Sequence, residues 1–333
     1  NRRTQTLRKV ATTMNAEQSV SKSLRLGTRS SQLATWQSNW VAAQLREDGY
    51  DIEIIQISTT GDVLDGPIGA IGSQGVFTKE IQRSLMANEI DFAVHSLKDL
   101  PTDDVEGLCL SCVPLRETIG DVLVSSAECS LHDLPPNACI GTGSMRRAAQ
   151  ILSQRPDITV RDIRGNVETR LRKLDEGQYD AIVLAEAGLK RLELFDRISH
   201  VIPTEIMIPA VGQGALGIEC RRGDAHVRSV LDVLCDDRSF IAVTAERTML
   251  RALRAGCLAP VAAWGRFENN ALVLTAVVLS ADGTERCDVE QRCELLVEEL
   301  DSQLSQAAGL GRSVAAELIG LGAEEMIAQA RGA

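Results

Sequence analysis

From Leu24 onward the chain alternates short apolar runs with segments of helical period, the pattern of parallel strands joined by crossover helices. Leu33, Trp36, Trp40, Val41 and Leu45 fall on one helical face, and Asp51 to Ile57 after Gly49 reads as the next strand. Phe77, Ile81 and Leu85 mark a second helix. Ile90 to Val94 is then a strand that ends at His95-Ser96-Leu97-Lys98-Asp99.

A second unit repeats this logic from Gly120, where Asp121-Val122-Leu123-Val124 opens and Ala138-Cys139-Ile140 runs into Gly141 and Gly143. Ile158 to Ile163 reads as a strand, Val167, Leu171 and Leu174 as a helix, Ala181 to Leu184 as a strand, and Leu189 to Leu194 as the start of another helix. After Pro203 and Pro209 comes a glycine-rich turn and a strand, from Val211 to Cys220. The last hundred residues change character: a helix near 239–254, strands at 259–267, 271–280 and 285–293, and a helical tail.

With 46 acids against 35 bases the net charge is −11, which disfavours nucleic acid and acidic membrane surfaces as partners. No apolar run is long enough to span a bilayer. Nine scattered cysteines suit a reducing compartment. Cys109 and Cys112 form a C-x-x-C, but the alternation across Leu108 to Val113 reads as a strand and no metal site is expected. Residues 1–16 hold four basic side chains, four threonines and no acid. This fits the tail of a transit peptide or an added remnant ahead of Met14, so plastid stroma is expected first and cytoplasm otherwise.

Ligands of open α/β sheets bind beyond the carboxyl ends of strands, which directs attention to the polar loops there. Residues 141–173 hold eight bases against three acids, a local +5 in an acidic chain. Arg155, Arg161, Arg172 and Lys173 read as a solvated helix face. Arg146 and Arg147 follow Gly141-Thr142-Gly143-Ser144 at a strand-to-helix turn, where backbone N–H groups favour anions. Arg164 stands at a strand end before Gly165. Asp99, at another strand end, is the candidate general acid/base. Cys257 sits on a loop after a helix, open to covalent chemistry, although packing alone would also explain it. Gly141-x-Gly143 with Asp162 further on is two-thirds of a dinucleotide fingerprint, but Arg146 stands where its third glycine belongs.

Taken together the segments resemble the porphobilinogen deaminase family. The resemblance rests on Leu26 to Arg29, Thr59 to Asp62, Val76 to Glu80, His95 to Thr102, Gly141 to Arg147, Arg164 to Leu171, Ala187 to Leu192, Pro209 to Arg221, and Gly256-Cys257 with Pro260, in family order. It implies an α/β fold of three domains, two resembling type-II periplasmic binding protein lobes plus a small C-terminal α+β domain. The expected boundaries are 22–114 with 214–232, 120–208, and 237–333.

The resemblance further implies a transferase of tetrapyrrole biosynthesis, on the route to heme and chlorophyll, that joins four porphobilinogen molecules into linear hydroxymethylbilane and releases ammonia. Cys257 would carry a dipyrromethane cofactor as primer, and Asp99 would be the catalytic aspartate. Ser96, Lys98, Thr142, Ser144, Arg146, Arg147, Arg164 and Gly165 would hold the cofactor; Arg29, Ser31, Phe77, Arg170 and Gln213 would meet the substrate. A monomer is expected. Departures from the family pattern are Gln32 for proline, Gln74 for lysine, Gly143 for serine and Ala255 for glycine. The rival readings are an NADP-dependent oxidoreductase and a non-catalytic two-lobed binding protein.

Overall fold

The computed structural model describes residues 23–58, 78–126, 129–256, 259–296 and 298–332. In chain order the elements are β1 (Leu24–Thr28), α1 (Gln32–Glu47), β2 (Ile52–Gln56), α2 (Lys79–Met86), β3 (Phe92–Ser96) and β4 (Leu108–Cys112). There follow β5 (Asp121–Ser125), β6 (Cys139–Gly141), α3 (Met145–Gln154), β7 (Thr159–Arg161), α4 (Val167–Asp175), β8 (Ala181–Ala185), α5 (Glu186–Arg191) and β9 (His200–Ile202). The chain then returns through β10 (Leu216–Arg221) and α6 (Ala225–Leu231). It ends with α7 (Asp237–Ala252), β11 (Val261–Glu268), β12 (Ala271–Leu279), β13 (Arg286–Glu294), α8 (Leu300–Gly320) and α9 (Ala323–Gly332).

Two five-stranded sheets share one plan. The first runs β2-β1-β3-β10-β4, with β1 parallel to both neighbours and β10 antiparallel to β3 and β4. The second runs β7-β6-β8-β5-β9, with β6 parallel to both neighbours and β5 antiparallel to β8 and β9. In each sheet the fourth strand is delivered by chain arriving from the other: 113–120 carries it from β4 to β5, and 203–215 carries it from β9 back to β10. The third sheet, β11-β12-β13, is an antiparallel meander. Its inner face packs on α7 and α8 through Leu272, Leu274, Ala276, Met249, Val314 and Leu318, all fully buried.

Strand-end chemistry follows from burial. Leu26, Phe92, Ile140 and Ile182 are wholly removed from water, so the parallel strands are anchored in the core. Polar residues collect where the strands stop. Gly214 fits the return crossing because its φ is +83° and a Cβ there would lie 2.5 Å from the carbonyl oxygens of Glu117 and Thr118 on the outgoing one. Cys109 and Cys112 lie in β4, a strand as expected. The solvated-face reading of Arg155 is corrected: its guanidinium donates to the carbonyls of Leu131, His132 and Leu134 and to Asp157, closing the loop before β6.

Candidate active site

The carboxyl ends of β1, β3, β6 and β7 carry the expected residues, and each local turn explains its side chain's position. Ser31 caps α1 by accepting from the Ala34 N–H, and Arg29 stands half-buried ahead of it. Ser96 ends β3 and accepts from Gln37 Nε2 of α1 at 2.8 Å, tying strand end to helix. The chain then makes a single 3-10 turn over Leu97–Asp99. Leu97 plugs the core, which leaves Lys98 half-buried and Asp99 exposed.

In the second lobe the same strand-turn-helix step follows β6. Buried Thr142 accepts from the Ser144 N–H at 3.2 Å, and Ser144 caps α3 by accepting from the Arg147 N–H. After β7, Arg164 leads to Gly165, which has φ +110° and would place a Cβ 2.5 Å from Thr169. Only glycine fits this turn. Arg170 Nε donates to the Gly165 carbonyl at 2.8 Å, and Arg164 Nε donates to Asp162 at 2.8 Å.

Asp121 organises the layer beneath. This carboxylate, fully buried at the start of β5, sits 2.8 Å from Arg146 Nη1 and 2.7 Å from Arg147 Nη2, and accepts from Gln213 Nε2 at 3.0 Å. Burial opposes its charge, but the two guanidinium groups hold it well below the usual carboxylate range. Arg146 also donates to the Ile208 carbonyl and Arg147 to that of Val183. Their side chains are 4% and 7% exposed, so they form a buried layer. A buried pair of this kind is kept together because either partner alone would be an uncompensated charge.

That layer charges the cleft above it. Lys98 has its pKa pushed down to about 8, by burial first and then by Arg147, against the opposing pull of Asp99 and Asp121. Arg170 is pushed down to about 10 by burial, Arg147 and Arg164, with Asp99 and Asp162 opposing. Asp99 thus lies within the field of both Lys98 and Arg170. Five cations, Lys98, Arg146, Arg147, Arg164 and Arg170, face three acids, Asp99, Asp121 and Asp162. Arg146 Nε and Gln213 Oε1 are buried without a hydrogen-bond partner among the described residues. The cation excess, with Arg146 Nε a buried donor left over, fits a ligand bearing several carboxylates.

Several positioning residues escape sequence reasoning. Glu246 of α7 is fully buried and accepts from Arg116 Nη1 at 2.6 Å and from the N–H groups of Gly212 and Gly265. It joins both crossings to the third domain. Arg247 donates to the carbonyls of Leu100 and Pro101, which fixes the segment directly after Asp99. Arg191 donates to the Gly214 carbonyl at 2.7 Å and lies over Trp36. An ionisable residue opening an apolar run, as Asp121 does, was the one available signal. Cys257, Phe77 and Gln74 lie outside the described residues.

A family model described as "Porphobilinogen deaminase, dipyromethane cofactor binding domain" matches residues 24–229, and another described as "Porphobilinogen deaminase, C-terminal domain" matches 240–320. A porphobilinogen deaminase of Chlorobium chlorochromatii is 45% identical over 315 residues, covering 94% of this chain and 99% of its own. One of Desulforudis audaxviator is 47% identical over 309 residues, covering 92% and 97%. Among solved structures the chain is similar to a methionine binding protein, with a TM-score of 0.43 and 11% identity over 67% of this chain and 94% of that one. These relatives are bacterial and lend no support to the plastid expectation. Among the described residues no helix is long and apolar enough to cross a membrane. The oxidoreductase reading gives way to these matches, which run in order through both lobes and the third domain: the chain belongs to the porphobilinogen deaminase family.

Proposed function

We propose that Asp99 is the catalytic carboxylate of this chain's porphobilinogen deaminase reaction and that Lys98 with the arginines of both lobes holds the carboxylates of substrate and cofactor. The reaction joins four porphobilinogen molecules with loss of ammonia, and water releases the product as linear hydroxymethylbilane, in tetrapyrrole biosynthesis. The single observation supporting the assignment is the half-buried Lys98, set among Arg146 and Arg147 with Asp99 as its neighbour in the 3-10 turn.

The dipyrromethane cofactor, which Cys257 would hold, would supply the free pyrrole α-carbon for the first addition, and each later ring would add to the α-carbon of the ring before it. Every substrate ring brings an acetate and a propionate, so the cation excess grows in value as rings accumulate. Asp99 faces the substrate's pyrrole N–H and stabilises the positive charge that develops as the aminomethyl nitrogen departs as ammonia. The terminal ring's α-carbon then forms the new bond to the methylene that ammonia has left, and the Asp99 carboxylate takes the proton which that attacking carbon releases. Arg164, Arg170, Arg29 and Ser31 orient carboxylates from the two sides of the cleft, while Thr142, Ser144, Ser96 and Gly165 shape the turns that present them. Phe77 packs against a pyrrole, and Gln213 completes the inner layer. The chain works as a monomer, which sedimentation would test.

The deciding experiment compares the intact mass of the purified chain with that of Cys257→Ala and follows ammonia release by Asp99→Asn. An excess of two linked pyrroles on the native chain alone, with turnover lost in Asp99→Asn, is expected. Normal turnover by Asp99→Asn would remove the assignment of the carboxylate while leaving the family intact.

A further inference from the structure

Four cysteines from two distant stretches, Cys109 with Cys112 and Cys220 with Cys235, meet at one edge of the first sheet. Cys220 of β10 and Cys109 of the edge strand β4 are direct register partners, and their Sγ atoms lie 4.0 Å apart. Cys112, further along β4, belongs with Cys235 to the same packed cluster. The other described cysteines have neighbours of a different kind: Cys129 meets Ser125, Cys139 meets Arg161, Cys287 meets the Leu321 carbonyl and Cys293 that of Glu294.

A disulfide needs its sulfurs at about 2.05 Å with Cβ atoms roughly 3.5–4.5 Å apart, and directly opposed residues of antiparallel strands have Cβ atoms about 4.5–5.5 Å apart. A χ1 rotation and a small closing of the strands cover the difference. The register shift between Ile218 and Glu219, one residue from the pair, marks a bulge at which the ladder is already bent and twisted. The two thiols also differ. Cys109 is half-buried, and its thiol is pulled down by the hydrogen bond from Cys220 and by Arg228 and Arg222, while Cys220 is fully buried and pushed up by the same bond. One sulfur is therefore the better nucleophile and the other keeps its proton.

We propose that Cys109 and Cys220 form a redox-responsive dithiol that a hydroperoxide closes to a cross-strand disulfide. The Cys109 thiolate attacks the peroxide oxygen; the O–O bond breaks, an S–OH forms, and the departing hydroxide leaves as water on taking a proton. The Cys220 sulfur then attacks the Cys109 sulfur, the S–O bond breaks, and the hydroxyl takes the Cys220 proton to leave as the second water. Two thiols are oxidised and one hydrogen peroxide is reduced. The site is separate from the cleft. Cys220 pairs with Phe92 at the start of β3, whereas Lys98 and Asp99 follow its far end.

The test treats the full cofactor-bearing chain with a small excess of hydrogen peroxide, alkylates the remaining thiols and maps the peptides. A Cys109–Cys220 linked peptide is expected, with two fewer alkylatable thiols, reversal by dithiothreitol, and Cys139 and Cys293 still alkylated. In Cys220→Ser, dimedone should trap Cys109 as the sulfenic acid. Full alkylation of Cys109 and Cys220 after peroxide, a link joining Cys112 to Cys235 instead, or a link between two chains would each overturn the proposal.

Discussion

In the second lobe the antiparallel fourth strand, β5, enters its sheet with Asp121, and the cations at the start of α3 fold down onto that carboxylate. In the first lobe the equivalent strand, β10, enters with Leu216, opposite Ser96, and Lys98 stands nearby with no ion pair of its own among the described residues. The strand plan is the same and the charge is managed differently. One lobe holds its cations with an internal anion, so they form part of the core; the other leaves its cation desolvated, which is the condition for a strong grip on an incoming carboxylate.

Asp121→Asn should produce the largest effect, because it strands two buried guanidinium groups: a loss of about 3–5 kcal/mol in urea denaturation. Lys98→Met removes charge from the other lobe and should leave stability within about 0.5 kcal/mol of the parent or raise it. Equal losses in the two variants would erase the contrast between the lobes.

Asp99→Asn, at an exposed position, should slow single-turnover ring addition by about 10²–10⁴-fold with an unchanged denaturation midpoint. The pH dependence sharpens the comparison further. Lys98 loses its proton near pH 8 in the folded chain but stays charged up to its ordinary value of 10.5 when unfolded, so the folded state gains relative stability as pH rises through that window. The hold on substrate weakens over the same range. KM should therefore climb above pH 8 in the native chain and stay flat in Lys98→Arg. The smallest change is expected of Asp162→Ser: it frees Arg164 from an exposed ion pair worth about 0–1 kcal/mol, so KM should fall by no more than about fivefold.

The sequence made the elements with strong periodicity plain. The helix through Leu33 and Leu45 runs over Gln32–Glu47, and the three late strands appear as the meander β11 to β13. The strand read from Ile158 to Ile163 shortens to Thr159–Arg161, because its two isoleucines sink into the core on either side of a brief edge pairing with β6. Edge strand β9 and helix α6 carry too few periodic positions to stand out. The polar turns at Asp99, Ser144 and Arg164 were legible as strand ends. The inner layer was not: Asp121 meets Arg147 across 26 positions and Gln213 across 92, and no local pattern records such pairings.

The opposed crossings set an order of events on the ribosome. All five strands of the second sheet lie between Asp121 and Ile202, a contiguous stretch that can close as soon as it emerges. The first sheet, although begun at Leu24, cannot join β3 to β4 until β10 arrives at Leu216–Arg221. The lobe synthesised first is therefore finished second, and for the time it takes to translate about a hundred residues its β3 edge stands open to whatever strand comes near.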